Sequence, residues 1–359
     1  MSTLLVLLLA PGCRDAPPEP AEPPVSAPAD APARECVPEA VRKDVLFDRL
    51  LRGQLDACHA QALDRYIQAR GEENGPWKQE LRVARSADGQ HFEAVDGALL
   101  SKAAVPEVVL HEGRYYLFHV DGDLDHMRSW VAESPERLHR QGVPGLGALA
   151  LAVSDDGLTF RQEPSFEVVG LVRGMAVDPD VVRLPDGRWR MYYLGVPHQE
   201  YVEGAWDEGT PHKVFTAVSD DLIRWTQEGL AVEGPYADPS VVCEGEVCEM
   251  LSFGLDRATS DDGGATFTFQ GPLQIPGFAP DAMRLPDGSV RFVYNEKSPG
   301  APLRSLVDDG GGWRREPGER MPATYGEAPS FARAPGGGWL MYFHTFTDPS
   351  AIPSRDPKK

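Results

Sequence analysis

Six carboxylates stand beside prolines at recurrent points of this chain. They are Glu107 in Val105-Pro106-Glu107, Asp178 and Asp180 flanking Pro179, Asp238 before Pro239, Asp281 after Pro280, and Glu327 in Glu327-Ala328-Pro329. Brought together in a narrow, partly dry space, they cannot all stay ionised. Mutual repulsion and desolvation raise some pKa values and leave a mixture of acids and bases near neutrality. Cleavage of a glycosidic bond needs such a pair, one carboxyl protonated and one ionised. Clustered carboxylate oxygens also suit a hard cation, Ca2+ first among them. An Asp beside Pro equally caps a turn, so any one of these residues reads as structural as readily as chemical. The set of six favours chemistry.

What must gather them is a repeat. Val105-Pro106, Asp178-Pro179, Asp238-Pro239, Ala279-Pro280 and Ala328-Pro329 each open a strand. An aromatic-rich strand follows each: Tyr115 to His119, Trp189 to Leu194, Glu249 to Phe253, Val290 to Asn295 and Trp339 to His344. A third strand, a Ser-Asp turn and a fourth strand opening on Phe or Trp complete the unit. Four strands per unit, at a period of roughly 40–70 residues, predict an all-β, five-bladed β-propeller. The starts of the innermost strands then ring one end of an axial channel, termed the top. Strands at Glu80 to Ala84 and Phe92 to Val95 precede the first full unit, and residues 327–346 supply only two strands of the last. The N-terminal strands are therefore expected to close the last blade, a velcro that removes the open edges of the ring.

Two long top loops, Asp121 to Gly147 and Gly195 to Lys213, carry Trp130, Tyr201, Trp206, His126, His198 and His212. An aromatic wall beside an acidic well is the form a sugar-binding cleft takes. The expected substrate-binding residues are thus Glu107, Asp180, Asp281, Trp130, Tyr201, Trp206 and His198; loops packing on each other are the alternative. Ser154-Asp155-Asp156-Gly157 and its counterparts at 219–222 and 260–263 read as turns at the opposite face, their side chains bonding nearby amides. Ser260-x-Asp262-x-Gly264-x-Thr266-Phe267 resembles the sialidase Asp-box, which is structural in that family.

Asp178-Pro179, Asp238-Pro239, Glu327-Ala328-Pro329 and the turn from Ala217 to Trp225 resemble the five-bladed glycoside hydrolases of families 32, 43 and 68, over residues 77–349. The resemblance implies Asp178 as base, Asp238 as an orienting Asp and Glu327 as acid, with no required cofactor. Three features depart from it, one being that base and acid fall in the second and fifth blades rather than at the families' usual offset. The first blade, where those families carry the base, opens Val105-Pro106-Glu107, and the invertase Trp-Met-Asn-Asp-Pro-Asn-Gly signature is absent. A non-catalytic carbohydrate- or protein-binding propeller is the alternative function. A sialidase-like enzyme is a poorer one, because the strand starts lack its three arginines.

The net charge of −20 argues against a nucleic-acid partner; the expected partner, a neutral carbohydrate, is what the aromatic wall and the resemblance imply. The apolar run from Leu4 to Ala10, ending at Cys13, resembles a bacterial lipoprotein signal and is too short to span a bilayer. It implies lipidation of Cys13 and a periplasmic or cell-surface protein that touches membrane only through that anchor. The domain plan is a signal at 1–13, a disordered Pro/Ala-rich tether at 14–33, a short helical segment at 34–76, the propeller at 77–349 and a tail at 350–359. Cys243 and Cys248 flank a tight turn and are expected to cross-link it. Cys36 and Cys58 form the second candidate pair. One unbroken helix would hold them about 33 Å apart, so that pairing requires the chain to fold back near Gly53. A monomer is expected.

Overall fold

A computed structural model describes residues 37–144, 147–171, 174–197, 212–234, 237–296, 301–308, 312–322 and 326–348. The expectations placed on Cys13, Cys36, His198, Tyr201 and Trp206 lie outside these residues, as do the signal and tether. From Pro38 onward the chain forms one unit, built on five sheets that are antiparallel but for one edge strand.

Each blade runs from an inner strand outward. Blade I comprises Ala103–His111, Arg114–Asp121, Gly147–Ser154 and Arg161–Gln162. Blade II comprises Gly174–Arg183, Trp189–Pro197, His212–Ser219 and Arg224–Gly234, with Glu167–Val169 added in parallel at its edge. Blade III holds Ser240–Glu244, Val247–Leu251, Asp256–Ser260 and Thr268–Pro272. Blade IV holds Phe278–Arg284, Val290–Asn295, Leu303–Asp308 and Trp313–Arg315. In blade V, Glu327–Arg333 and Trp339–Phe346 are completed by Gln79–Ser86 and Glu93–Ala94. The N-terminal strand pairs with its partner over eight positions, from Gln79 opposite Phe346 to Ser86 opposite Trp339. The velcro is therefore as expected. Four inner strands carry their proline where the ladder slips and the fifth starts just after it, because proline has no N–H to give a ladder.

The ring closes through five interfacial cores, one between each pair of neighbours. Phe118 and Leu151 meet Met191 and Trp225 between blades I and II. Tyr192 and Val214 meet Val241 and Met250 between II and III. Leu251 and Leu255 meet Phe292 and Leu306 between III and IV. Met283 and Val293 meet Trp339 and Met341 between IV and V, and Tyr342 and Leu81 meet Tyr115 and Leu117 between V and I.

The Ser-Asp turns lock themselves. Asp156 accepts the hydroxyl of Ser154 and the backbone N–H groups of Leu158 and Thr159 at 2.7–2.8 Å, and those N–H donors hold its carboxyl down at about 2. The same pattern recurs at Asp88, Asp221 and Asp262. Buried side chains from neighbouring blades grip these turns. Tyr192 Oη donates to Gly264 O, Tyr342 Oη to Gly157 O, and Arg291 Nη1 to Gly89 O. Arg291 also forks onto Glu316 at 2.6 and 3.1 Å and is almost fully buried. Arg291→Ala strands the Glu316 carboxylate and frees the velcro turn, so a loss of about 3 kcal/mol is expected in chemical denaturation, with the surface Arg188→Ala near zero.

The helical segment is α1 (Lys43–Leu51) and α2 (Ala57–Glu72), broken at Gly53, whose φ is 65°. Asp56 caps α2 by accepting from the Cys58 and His59 N–H groups. The top loop of blade I is not irregular. It contains α3 (Leu124–Glu133) and α4 (Leu138–Gln141), and these bury Met127, Trp130 and Leu138 against Leu46, Leu50, Leu63 and Ile67 of α1 and α2. No described helix is long and apolar enough to cross a membrane. Cys243 and Cys248 are disulfide-bonded across the blade III hairpin, with Cα atoms 4.1 Å apart.

Candidate active site

In every blade the residue before the inner-strand proline has a positive φ: 46° at Val105, 54° at Asp178, 45° at Asp238, 46° at Ala279 and 49° at Ala328. Outside glycine this conformation costs about 1 kcal/mol or more per residue. It recurs because it shapes the channel. In four blades the ladder slips at this point, between Ala104 and Glu107, Val177 and Asp180, Phe278 and Asp281, and Glu327 and Ser330. Such bulges re-aim side chains. The five prolines, the residues before them, and Glu107, Asp180 and Asp281 line a constriction of about 20 Å³. Below it the channel widens into a cavity of about 340 Å³ toward the bottom face.

The residues just after the prolines form a closed belt. Glu107 accepts the Val181 N–H, Asp180 the Val241 N–H, Ser240 the Ala282 N–H, Asp281 the Phe331 N–H, and Ser330 the Val108 N–H. Each side chain thus bonds the next blade's inner strand, five links around the axis. Ser330 Oγ also donates to Glu107, and Ser240 Oγ to Asp281. Oxygens of Glu107, Asp180 and Asp281 lie within 4.8 Å of one another. Burial raises Asp281 to about 7. Burial and then repulsion from Asp281 push Glu107 and Asp180 well above the ordinary carboxyl range. These three expected substrate-binding residues therefore sit in the neck, bonded to backbone.

Above the belt the mouth has two unlike halves. Val105, Ala279 and Ala328 pack with Phe278 into an apolar side. Asp178 and Asp238 make the acidic side, where Asp178 Oδ2 accepts the Asp238 N–H at 3.4 Å. Burial lifts Asp178 to about 6, while that N–H and the attraction of His344 oppose a further rise. His344 lies directly across the ladder from Glu327, with Nε2 3.7 Å from Glu327 Oε2. Its Nδ1 accepts the Val105 N–H at 3.2 Å, so in the neutral ring the proton sits on Nε2, facing Glu327. His344 therefore stands beside Glu327, and a positive charge on its ring would also oppose the rise at Asp178.

Trp130 stands elsewhere. Only 4% exposed, it lies in the helical core with its ring stacked on His126 at 6.0 Å and under the Arg137 guanidinium at 4.2 Å. The described structure thus places Asp178 and Asp238 at the mouth and Glu327 opposite His344, one residue before Ala328 of the apolar side, sets Glu107, Asp180 and Asp281 in the neck, and packs Trp130 away. Three participants escaped the sequence reading. Ser240 and Ser330 occupy the position of Asp180 in their own repeats, a signal available from aligning the five Pro-x starts. His344 sits in no motif; only the strand pairing reveals it.

No protein-family model matches the chain, and no curated protein matches it. Solved structures with a similar fold include a family 43 β-1,3-galactosidase bound to galactodeoxynojirimycin, 14% identical at a TM-score of 0.47, covering 76% of this chain and 97% of that one. A family 43 protein of Bacillus licheniformis is 11% identical at 0.49, covering 69% of this chain and 49% of that one, so this chain spans about half its length. A family 117 glycoside hydrolase of the marine bacterium Zobellia galactanivorans is 14% identical at 0.45, covering 76% and 92%. The molecule is a five-bladed β-propeller whose fold is similar to that of family 43 and 117 glycoside hydrolases.

Proposed function

We propose that the protein is an exported glycoside hydrolase that cleaves neutral oligo- or polysaccharides at the top of the channel. The observation behind this reading is the buried Asp178 at the channel mouth, held by the Asp238 N–H, in the same ring of strand starts as Glu327, which His344 faces. Asp178, kept ionised above about pH 6, serves as base. Glu327 serves as acid, its orientation set by the Nε2 side of His344. Asp238 orients Asp178 through its backbone N–H and completes the acidic side of the mouth. Carboxyl separations of about 5–5.5 Å give retention and about 6.5–9.5 Å give inversion.

The chemistry at the mouth requires no cofactor. If a Ca2+ occupies the neck, Glu107, Asp180 and Asp281 would hold it, an oxygen-only set of the kind this ion takes; it would neutralise and brace the belt. Export is supported by the Cys243–Cys248 disulfide, which suits an oxidising compartment. The anchor is lipidated Cys13, with residues 14–33 as tether; Cys13→Ala is expected to move the protein from the membrane fraction to the soluble one.

The test is turnover of a panel of aryl glycosides and neutral oligosaccharides by the wild type. Binding of glycans without turnover of any of them would make the propeller a binding module instead.

A further inference from the structure

We infer that Phe253 is a stacking platform for a second sugar ring, one that adjoins the ring held over Asp178 and Glu327. This rests on the proposed glycosidase reading and adds a subsite to it. The connection between the second and third strands of blade III is minimal, and it turns sharply: φ is 82° at Gly254 and 56° at Leu255. Leu255 is fully buried in the core between blades III and IV, and the Phe253 N–H bonds Ala237 O at 2.6 Å. Pinned from both sides, the Phe253 ring is left 42% exposed, one residue's backbone away from the Ala237-Asp238 strand start.

A cavity of about 420 Å³ opens beside it, lined by Phe253, Pro272, Ile275, Pro276 and Phe278, with Gln274 as the polar side chain among them. Phe278 is the shared wall: it borders this cavity and also packs with Ala279, Ala328 and Val105 at the apolar half of the mouth. Its ring meets Phe253 at 5.7 Å and 45°. The cavity therefore adjoins the apolar half of the mouth, with the Phe278 side chain as their common wall. Its aromatic and proline faces, with a single amide at hand, match the apolar face and hydroxyl edge of a pyranose. Large rigid rings lose little conformational freedom on contact, which favours a platform of this kind.

The experiment uses the full chain carrying Glu327→Gln, so that binding is read without turnover, and calorimetry with neutral oligosaccharides of increasing length. Adding Phe253→Ala should weaken the longer sugars about tenfold, equivalent to roughly 1.4 kcal/mol, and leave the shortest sugar that binds unaffected. Phe253→Leu should also lose affinity, whereas Phe253→Tyr should keep it; a packing role would be satisfied by Leu. Equal affinity of Phe253→Ala and its parent for every length, or an equal loss at all lengths, overturns the platform alone. If the parent and the wild type bind no sugar at all, the glycosidase reading falls and the platform falls with it.

Discussion

Glu327→Gln and Asp178→Asn should each lower turnover by about 10²–10⁴-fold, the range in which positioned acids and bases act, while the protein stays folded and binds sugar. Both replacements conserve shape. The amide of Glu327→Gln would still offer an oxygen to His344 Nε2, and that of Asp178→Asn an oxygen to the Asp238 N–H. What they lose is the proton that moves. The pH profile then separates the roles. With Asp178 as base, kcat/KM of the wild type rises with pH through about 6, because the carboxyl must be ionised to accept a proton. That rising limb should vanish from the residual activity of Asp178→Asn and persist in Glu327→Gln. A wild-type rate that instead falls as pH passes 6 would exchange the two roles, making Asp178 the acid. Full activity in both variants would remove the mouth from the chemistry.

The fold was legible because it is written in local signals. Each Xaa-Pro start, each Ser-x-Asp turn and the Cys243–Cys248 hairpin are contacts between residues a few positions apart. Even the velcro followed from arithmetic on incomplete units. The site was less legible, for two physical reasons. First, its decisive contacts join residues far apart in sequence. The Val105 N–H reaches His344 across 239 positions, and Ser330 reaches Glu107 across 223, so they exist only once the ring has closed. Second, a carboxylate at a strand start looks the same whether it faces substrate or caps a neighbour's amide. Glu107, Asp180 and Asp281 turn out to be bonded to the next blade, a job that Ser240 and Ser330 share without any charge. Trp130 shows a third difficulty. The spacing of Leu124, Met127, Trp130 and Val131 is helical, but a ten-residue helix is stabilised mainly by what it packs on. That partner, α1 with α2, lies far upstream.

The belt makes stability depend on pH in an unusual direction. The protein should be more stable in weak acid than at pH 8, and Asp281→Asn should remove much of that difference. In the unfolded chain Asp281 is an ordinary carboxyl near 3.8; in the neck burial raises it to about 7. Below the lower value both states hold the proton, and this group adds no pH dependence. Between the two values only the native state keeps it, so stability falls as pH rises, and the full cost is reached above about 7. For one such carboxyl that cost is at most roughly 4 kcal/mol. Glu107 and Asp180, also raised, extend the decline to higher pH. An asparagine at this position carries no charge to desolvate, and its oxygen can still accept the Ser240 hydroxyl and the Phe331 N–H. A gain of about 1–3 kcal/mol at pH 8 is expected, with a smaller gain at pH 5, where only the first part of the cost has accrued. Urea unfolding of both proteins at the two pH values, with a chelator present, decides the matter. Wild-type stability that is flat or rising from pH 5 to 8 would mean that the three carboxyls do not share a buried neck. Ca2+ added at pH 8 provides an independent check, because an ion bound there should restore the wild type's acid-pH stability and do far less for Asp281→Asn, which lacks one of its three anionic ligands.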